Sequence, residues 1–196
     1  MTLLTPPEDS GAALRAATRF AATAHADVRI GELDTPAGRV LAAMTDRGLV
    51  RLAYLDTHGG ADAVLDDLAT RLSPRILERP AAFVELSREL DEYFAGSRRA
   101  FDLPLDWSLA PGFGRRVLRA TARIPYGEVA TYGEVAALAG SAGGARAAGN
   151  ALGANPIPIV VPCHRVVRAG GALGGYTGGA ERKELLLGVE GRDLRA

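Results

Sequence analysis

The chain has 196 residues, with 23 basic and 23 acidic side chains and a formal charge of zero. That balance excludes a polycation held to nucleic acid or membrane by bulk charge alone. Apolar residues make up 47% of the chain and its mean hydropathy is +0.05, as in a globular protein. No apolar run approaches the roughly 18 residues of a membrane span.

Residues 1–9 read as disordered, and Ser10 can cap an Ala-rich helix reaching about His25. This start lacks a basic stretch followed by an apolar one, so no secretory signal is expected. Residues 28–33, 39–44 and 49–55 are short β-prone runs. Asp34-Thr35-Pro36-Ala37-Gly38 and Thr45-Asp46-Arg47-Gly48 separate them with turn residues, which predicts an antiparallel three-strand meander. Residues 61–72 carry Val64, Leu65, Leu68 and Leu72 at helical spacing. Pro80 opens a second helix with Phe83, Leu86, Leu90, Tyr93 and Phe94 on one face, ending near Gly96. Residues 100–105 read as a further strand. Strands followed by helices give an α/β or α+β front module.

Pro111-Gly112 marks a module boundary. Residues 113–124 predict a helix with Val117, Leu118 and Ala120 inward and Arg115, Arg116, Arg119 and Arg123 outward. Pro125-Tyr126-Gly127 breaks it. Thr131 with Glu134 three residues on is a capping-box pattern opening a helix to about Ala139. A tight Gly turn and a second short helix, 145–154, complete a pattern that fits a helix-turn-helix. Charge is segregated between the modules. Residues 1–110 hold 12 basic and 17 acidic side chains, a net of −5; residues 111–196 hold 11 and 6, a net of +5. The back module can therefore meet a polyanion although the whole chain is neutral.

Asn155-Pro156-Ile157-Pro158-Ile159-Val160-Val161-Pro162 excludes a helix and reads as an apolar extended segment presenting Cys163. A Gly-rich loop around Tyr176 and a last helix, 181–189, follow. Cys163 is the single cysteine, so no intramolecular disulfide and no Cys-ligated zinc site is expected; the reducing cytoplasm is the expected compartment. A lone cysteine can be a buried core thiol. Here His164 and Arg165 add positive charge, which favours a thiolate, and the glycines let backbone approach a ligand closely. Adjacent side chains of an extended segment face opposite ways, so a direct Cys163–His164 dyad requires a turn or a bridging water. Glu190 is a candidate to orient His164.

Pro162-Cys163-His164-Arg165-Val166 closely resembles the active-site signature of the methylated-DNA–protein-cysteine methyltransferases, the O6-alkylguanine-DNA alkyltransferases. Ile124-Pro125-Tyr126-Gly127-Glu128, Thr131-Tyr132, Glu134-Val135-Ala136, Ala145-Arg146-Ala147-Ala148-Gly149, Asn155-Pro156-Ile157-Pro158 and Gly174-Gly175-Tyr176-Thr177-Gly178-Gly179 follow the family pattern in order. The match runs from about 113 to 190, and the meander with its Thr35-Pro36-Ala37-Gly38 turn and the Tyr93-Phe94-Ala95-Gly96 helix end resemble the family's front domain. Thr177 stands where Ser is frequent, and Asn150 replaces a small residue.

The resemblance implies an α/β (α+β) fold. An N-terminal extension, 1–27, precedes a ribonuclease H-like α/β domain, 28–110, with the three-strand meander plus helices. A winged helix-turn-helix-like domain, 111–196, carries DNA binding and the alkyl acceptor. The implied reaction moves an alkyl group from O6 of guanine, and from O4 of thymine, to Cys163 after the nucleotide is flipped out of the duplex. One turnover consumes the protein, with no cofactor and no metal. Catalytic residues are implied at Cys163, His164, Glu190 and Asn155. DNA or base contacts are implied at Tyr132, Arg146, Ala147, Gly149, Pro158, Arg165, Val166, Tyr176 and Thr177, with Arg146 as the finger filling the vacated stack. The implied partner is double-stranded DNA containing O6-alkylguanine, bound by a monomer away from any membrane. Three alternatives predict different behaviour. A silent lesion binder of the same fold would not need Cys163, a helix-turn-helix regulator would bind an operator sequence, and a Cys-His hydrolase would turn over an ester or amide repeatedly.

Overall fold

The computed structural model of the chain describes residues 26–57 and 59–192. The helix expected over 10–25 lies outside these residues. The β-prone runs form strands β1 (Val28–Leu33), β2 (Val40–Thr45) and β3 (Gly48–Tyr54), paired antiparallel in succession. The β1–β2 turn closes where Gly38 N donates to Thr35 O at 2.8 Å, and Gly38 takes a φ of +109° that only glycine adopts without strain. The expected meander is thus present. A fourth strand, β4 (Ile76–Glu78), adds parallel to β1, giving the order β3-β2-β1-β4. Three residues carry no periodicity of their own, so this strand has no sequence signal.

Alternation along β2 sets the two faces of the sheet. Leu41 and Ala43 pack with Val28 and Val50 against Val64 and Leu68 of helix α1 (Gly60–Arg71). Val40 and Ala42 face the other way, with Leu52, Tyr54 and the inner side of helix α2 (Val84–Phe94). That second face is continuous with the core of the back module, so one apolar layer joins the two modules. Pro80 opens a 3-10 turn, Pro80–Phe83, rather than α2 itself.

The strand expected over 100–105 is not formed. Leu105 makes one isolated bridge to Leu49, in which Leu49 N donates to Pro104 O and Asp106 N to Leu49 O, both at 2.8 Å. Pro104 has no N–H to extend the ladder.

The back module contains α3 (Gly112–Thr121), α4 (Tyr132–Leu138), α5 (Ala145–Gly153) and α6 (Ala180–Val189). The capping box forms as expected: Glu134 N donates to Thr131 Oγ1 at 3.2 Å and Thr131 N to Glu134 Oε2 at 2.6 Å. It orients α4 against α5, the helix-turn-helix pair. A two-residue parallel ladder, β5 (Ala130–Thr131) with β6 (Val166–Val167), ties the entry of α4 to the segment after Cys163. Among the described residues no helix is long and apolar enough to cross a membrane.

Residues 159–161 do not form the expected extended segment. Val160 N donates to Pro158 O and Val161 N to Ile157 O, both at 2.9 Å, and Ile159 takes a φ of +71°. The two prolines leave too few N–H groups for a ladder, and the chain turns back instead. A β-branched residue in the left-handed region is strained by about 1–3 kcal/mol, held here by complete burial of Ile159.

Candidate active site

Asn155, just after α5, organises the turn that delivers the thiol. Its Oδ1 accepts from Ile157 N at 3.0 Å, and its Nδ2 donates to Val161 O at 2.9 Å and to Cys163 Sγ at 3.1 Å. Pro162 then bends the chain in an inverse γ-turn, with φ −80°, ψ 63° and Cys163 N donating to Val161 O at 2.8 Å. Cys163, His164 and Arg165 form one 3-10 turn. Successive side chains of such a turn diverge by about 120° rather than 180°. This removes the geometric objection raised by an extended segment.

Cys163 is 4% exposed and lines a cleft of about 990 Å³ beside α4, α5 and the Gly-rich loop. Tyr132, Arg146, Gly149, Tyr176 and Thr177 line the same cleft, so six of the residues expected at the site converge there. The expectation of a favoured thiolate is not met at rest. Burial pushes the Cys163 thiol up to about 11, with Asn155 and then Lys183 opposing. Arg165 does not help, because its charge is spent elsewhere.

Arg165 was expected at the base, but its side chain is 7% exposed and bound to Glu190. Its Nε lies 3.0 Å from Glu190 Oε2 and its second guanidinium nitrogen 2.9 Å from Oε1, a bidentate pair; the third donates to Ile124 O at 2.6 Å. Val166 is fully buried in β6. Pro158 is buried and lines a neighbouring cavity of about 270 Å³ with Tyr54 and Asn155, not the cleft of Cys163. Ala147 is exposed on α5 beside Arg146, outside the cleft lining.

Glu190 caps α6 and has its side chain fully buried. His164 Nε2 lies 2.8 Å from Glu190 Oε1, and Gly127 N donates to Oε2 at 3.1 Å. Burial would raise the Glu190 pKa, but hydrogen bonds from His164 and Arg165 outweigh it and hold the carboxyl down at about 2. An ionised carboxylate can only accept, so Nε2 carries the hydrogen and Nδ1 keeps the lone pair. His164 is fully buried; burial pushes its pKa below the usual 6.5, opposed by Glu190, so the ring is neutral at pH 7. Its Nδ1 is buried and has no hydrogen-bond partner among the described residues.

Two glycines shape the side of the cleft that Tyr132 lines. Tyr132 lies beside Gly149, where an added Cβ would sit 3.7 Å from its ring. At Gly174, with φ +69°, an added Cβ would come within 2.8 Å of the Tyr132 hydroxyl. That hydroxyl donates to Gly175 O at 3.3 Å. Thr177 directs its hydroxyl to Leu152 O and Gly153 O at 3.4 and 3.3 Å, joining the loop to the end of α5.

Residues the motifs did not flag also hold the site. Lys183 is fully buried; its Nζ donates to Val166 O at 2.5 Å, to Leu173 O, and to Gly175 O at 3.3 Å. Burial pulls its pKa down to about 8. As the single lysine of an arginine-rich chain it was visible as an oddity. Tyr54, from β3, brings its hydroxyl 3.0 Å from that of Tyr176, and Arg182 stacks over the Tyr54 ring at 4.3 Å while binding Asp56 at 2.5 Å. Arg168 lines the cleft rim and is exposed. Among the described residues no group of three or more His, Cys, Asp or Glu could hold a metal ion.

Comparison with known proteins agrees with this geometry. Residues 28–107 match the model of the ribonuclease-like domain of 6-O-methylguanine DNA methyltransferase, and residues 112–192 match the model of its DNA binding domain. A methylated-DNA–protein-cysteine methyltransferase of Methanosarcina barkeri is 37% identical over 166 residues, 83% of this chain and 97% of its own length. One of Mycolicibacterium paratuberculosis is 52% identical over 115 residues, 59% of this chain and 69% of its own. Among solved structures, the Mycobacterium tuberculosis O6-methylguanine methyltransferase superposes with a TM-score of 0.71 at 38% identity, covering 86% of this chain and 96% of that one. The same bacterium's OGT in complex with DNA matches equally, at 0.71 and 38%, covering 83% and 93%. The chain belongs to the methylated-DNA–protein-cysteine methyltransferase family.

Proposed function

We propose that this protein repairs DNA by taking the alkyl group of O6-alkylguanine, and of O4-alkylthymine, onto Cys163. The observation that carries the reading is the join of Cys163 to two supports: Asn155 at 3.1 Å from its sulfur, and the His164–Glu190 pair on the next residue of the same turn. A resting thiol near pKa 11 needs a base. His164 Nδ1, neutral and unpartnered, is the base, reached from the thiol through one bridging water. Glu190 holds the ring and stabilises the imidazolium without taking its proton, and Arg165 holds Glu190 in place.

The thiolate sulfur attacks the alkyl carbon. A C–S bond forms as the C–O bond breaks, and its electron pair stays on guanine O6. The proton gained by His164 balances the one guanine takes up. Donors along the loop around Tyr176 and Thr177 stabilise the leaving charge. The thioether has no route back, so each chain acts once. Both nucleophile and base are supplied by the chain itself, and the reaction calls for no cofactor.

The target atom is hidden in a duplex, so the nucleotide must leave the stack. Arg146, exposed on α5 at the cleft mouth, takes its place, and Tyr132 receives the flipped nucleotide in the cleft. Small residues beside Arg146 suit the minor groove, about 6 Å wide. The protein acts as a monomer in this reading, and a single thiol that must stay reduced supports the cytoplasm.

The test uses a duplex carrying labelled O6-methylguanine. The label is expected on the Cys163 peptide, at no more than one per chain. An intact lesion beside unmodified Cys163 overturns the reading, and repeated turnover points to a hydrolase instead.

A further inference from the structure

Glu190 accepts a hydrogen bond that the reaction described above does not use. Tyr93 lies on α2 of the front module, 97 residues away in sequence. Its hydroxyl donates to Glu190 Oε1 at 2.8 Å, and its oxygen lies 3.4 Å from His164 Nε2. The side chain is fully buried, with its ring packed on Phe94, Phe101 and Tyr126 at centroid separations of 5.3, 5.5 and 6.1 Å. Burial, reinforced by Glu190, raises the Tyr93 pKa, so the phenol stays a donor.

We propose that Tyr93 is a positioning residue for alkyl transfer, supplied by the front module: its hydroxyl fixes Glu190 and, through Glu190, the proton relay of His164. This rests on the alkyl-transfer reading of Cys163. The two oxygens of Glu190 are unequally shared. Oε2 serves Arg165 and Gly127, whereas Oε1 serves His164, Arg165 and Tyr93 together. A phenol proton on Oε1 draws charge from the very oxygen that faces His164. It therefore limits how tightly Glu190 holds an imidazolium, and leaves His164 neutral and ready to accept.

The groups facing His164 come from several elements. Cys163 and Arg165 share its turn, Glu190 ends α6, Lys183 lies within α6, Tyr176 comes from the loop and Tyr93 from α2. Only Tyr93 among these is contributed by the front module. Its loss removes one dipole and no formal charge.

Tyr93→Phe keeps the ring and deletes the donor. Two readouts are compared with the wild type: the His164 titration, followed by its ring proton signals, and the single-turnover rate with free O6-benzylguanine across pH. The His164 midpoint and the acid limb of the rate are both expected to rise by about one pH unit. Below both midpoints the rate is expected to fall roughly tenfold, because a one-unit rise leaves about a tenth as much neutral His164 there. Tyr126→Phe is the control, since its hydroxyl donates to Val189 O at 2.7 Å and not to Glu190. A midpoint that stays or drops in Tyr93→Phe overturns the proposal, as does an equal rise in Tyr126→Phe. Failure of the wild type to alkylate Cys163 would defeat the underlying reading, while the His164 titration would still decide Tyr93. If Tyr93→Phe does not fold, the wild type provides the measurement. A slowly exchanging, downfield Tyr93 hydroxyl proton should shift as His164 titrates, and an unmoved signal overturns the proposal.

Discussion

Asn155 and Cys163 are joined directly, amide nitrogen to sulfur, at 3.1 Å. The same side chain also closes the turn on Val161 O and Ile157 N. One buried amide therefore fixes where the nucleophile stands and donates to the charge it must carry.

Asn155→Ala leaves the Ile157 N–H and the Val161 carbonyl without their side-chain partner in a buried turn. A loss of about 2–3 kcal/mol in unfolding free energy is expected, read from urea titration. Transfer from free O6-benzylguanine should slow by at least about tenfold in protein that remains folded. A folded variant with an unchanged rate would show that the contact to sulfur has no role.

Glu190→Gln leaves the Arg165 guanidinium buried without its counter-charge. A cost of about 3–5 kcal/mol is expected. The sign with pH follows from the carboxyl. Its folded pKa of about 2 is depressed below the usual 4.5. The stabilisation is complete above pH 4.5 and is lost as pH falls from there towards 2. Wild-type urea midpoints should drop across that window, and the Gln variant should lack this component of the drop.

Arg146→Ala should separate flipping from chemistry. The residue is exposed on α5 and takes no part in holding Cys163. Repair of an O6-methylguanine duplex should slow by more than about tenfold, while reaction with free O6-benzylguanine changes little. Equal slowing of both would remove the finger role.

Gly174→Ala places a Cβ 2.8 Å from the Tyr132 hydroxyl, at a backbone φ of +69°. Tyr132 or the loop must move. A destabilisation of about 1–2 kcal/mol is expected. Slower duplex repair should accompany it, whereas Gly149→Ala, with its 3.7 Å approach to the Tyr132 ring, should be milder. Thermal midpoints and duplex repair rates of the two variants check the order.

The local features were legible in the sequence because their causes are local. The Thr131–Glu134 capping box, the meander turns and the apolar faces of α1 and α2 each depend on a few neighbouring residues. The motif around Cys163 identified the thiol and its neighbours through resemblance. What escaped depends on distant partners. Arg165 reads as a charge serving the thiol and the base until Glu190, 25 positions on, is folded against it. Tyr93 reads as one more apolar position on α2, since only the fold brings it to Glu190. The turn at 159–161 escaped because β-branched residues argue for a strand. Two prolines and the hydrogen bonds of Asn155 override that preference.

Lys183 is the one lysine in the sequence, and its amine is spent on three carbonyls beneath the cleft. The folded chain thus presents no lysine amine at its surface to an acylating reagent, apart from whatever its α-amino group offers. Labelling at position 183 becomes a clock for opening of the Gly-rich loop. Its rate would follow the fraction of time the loop is parted from β6, read without introducing a probe.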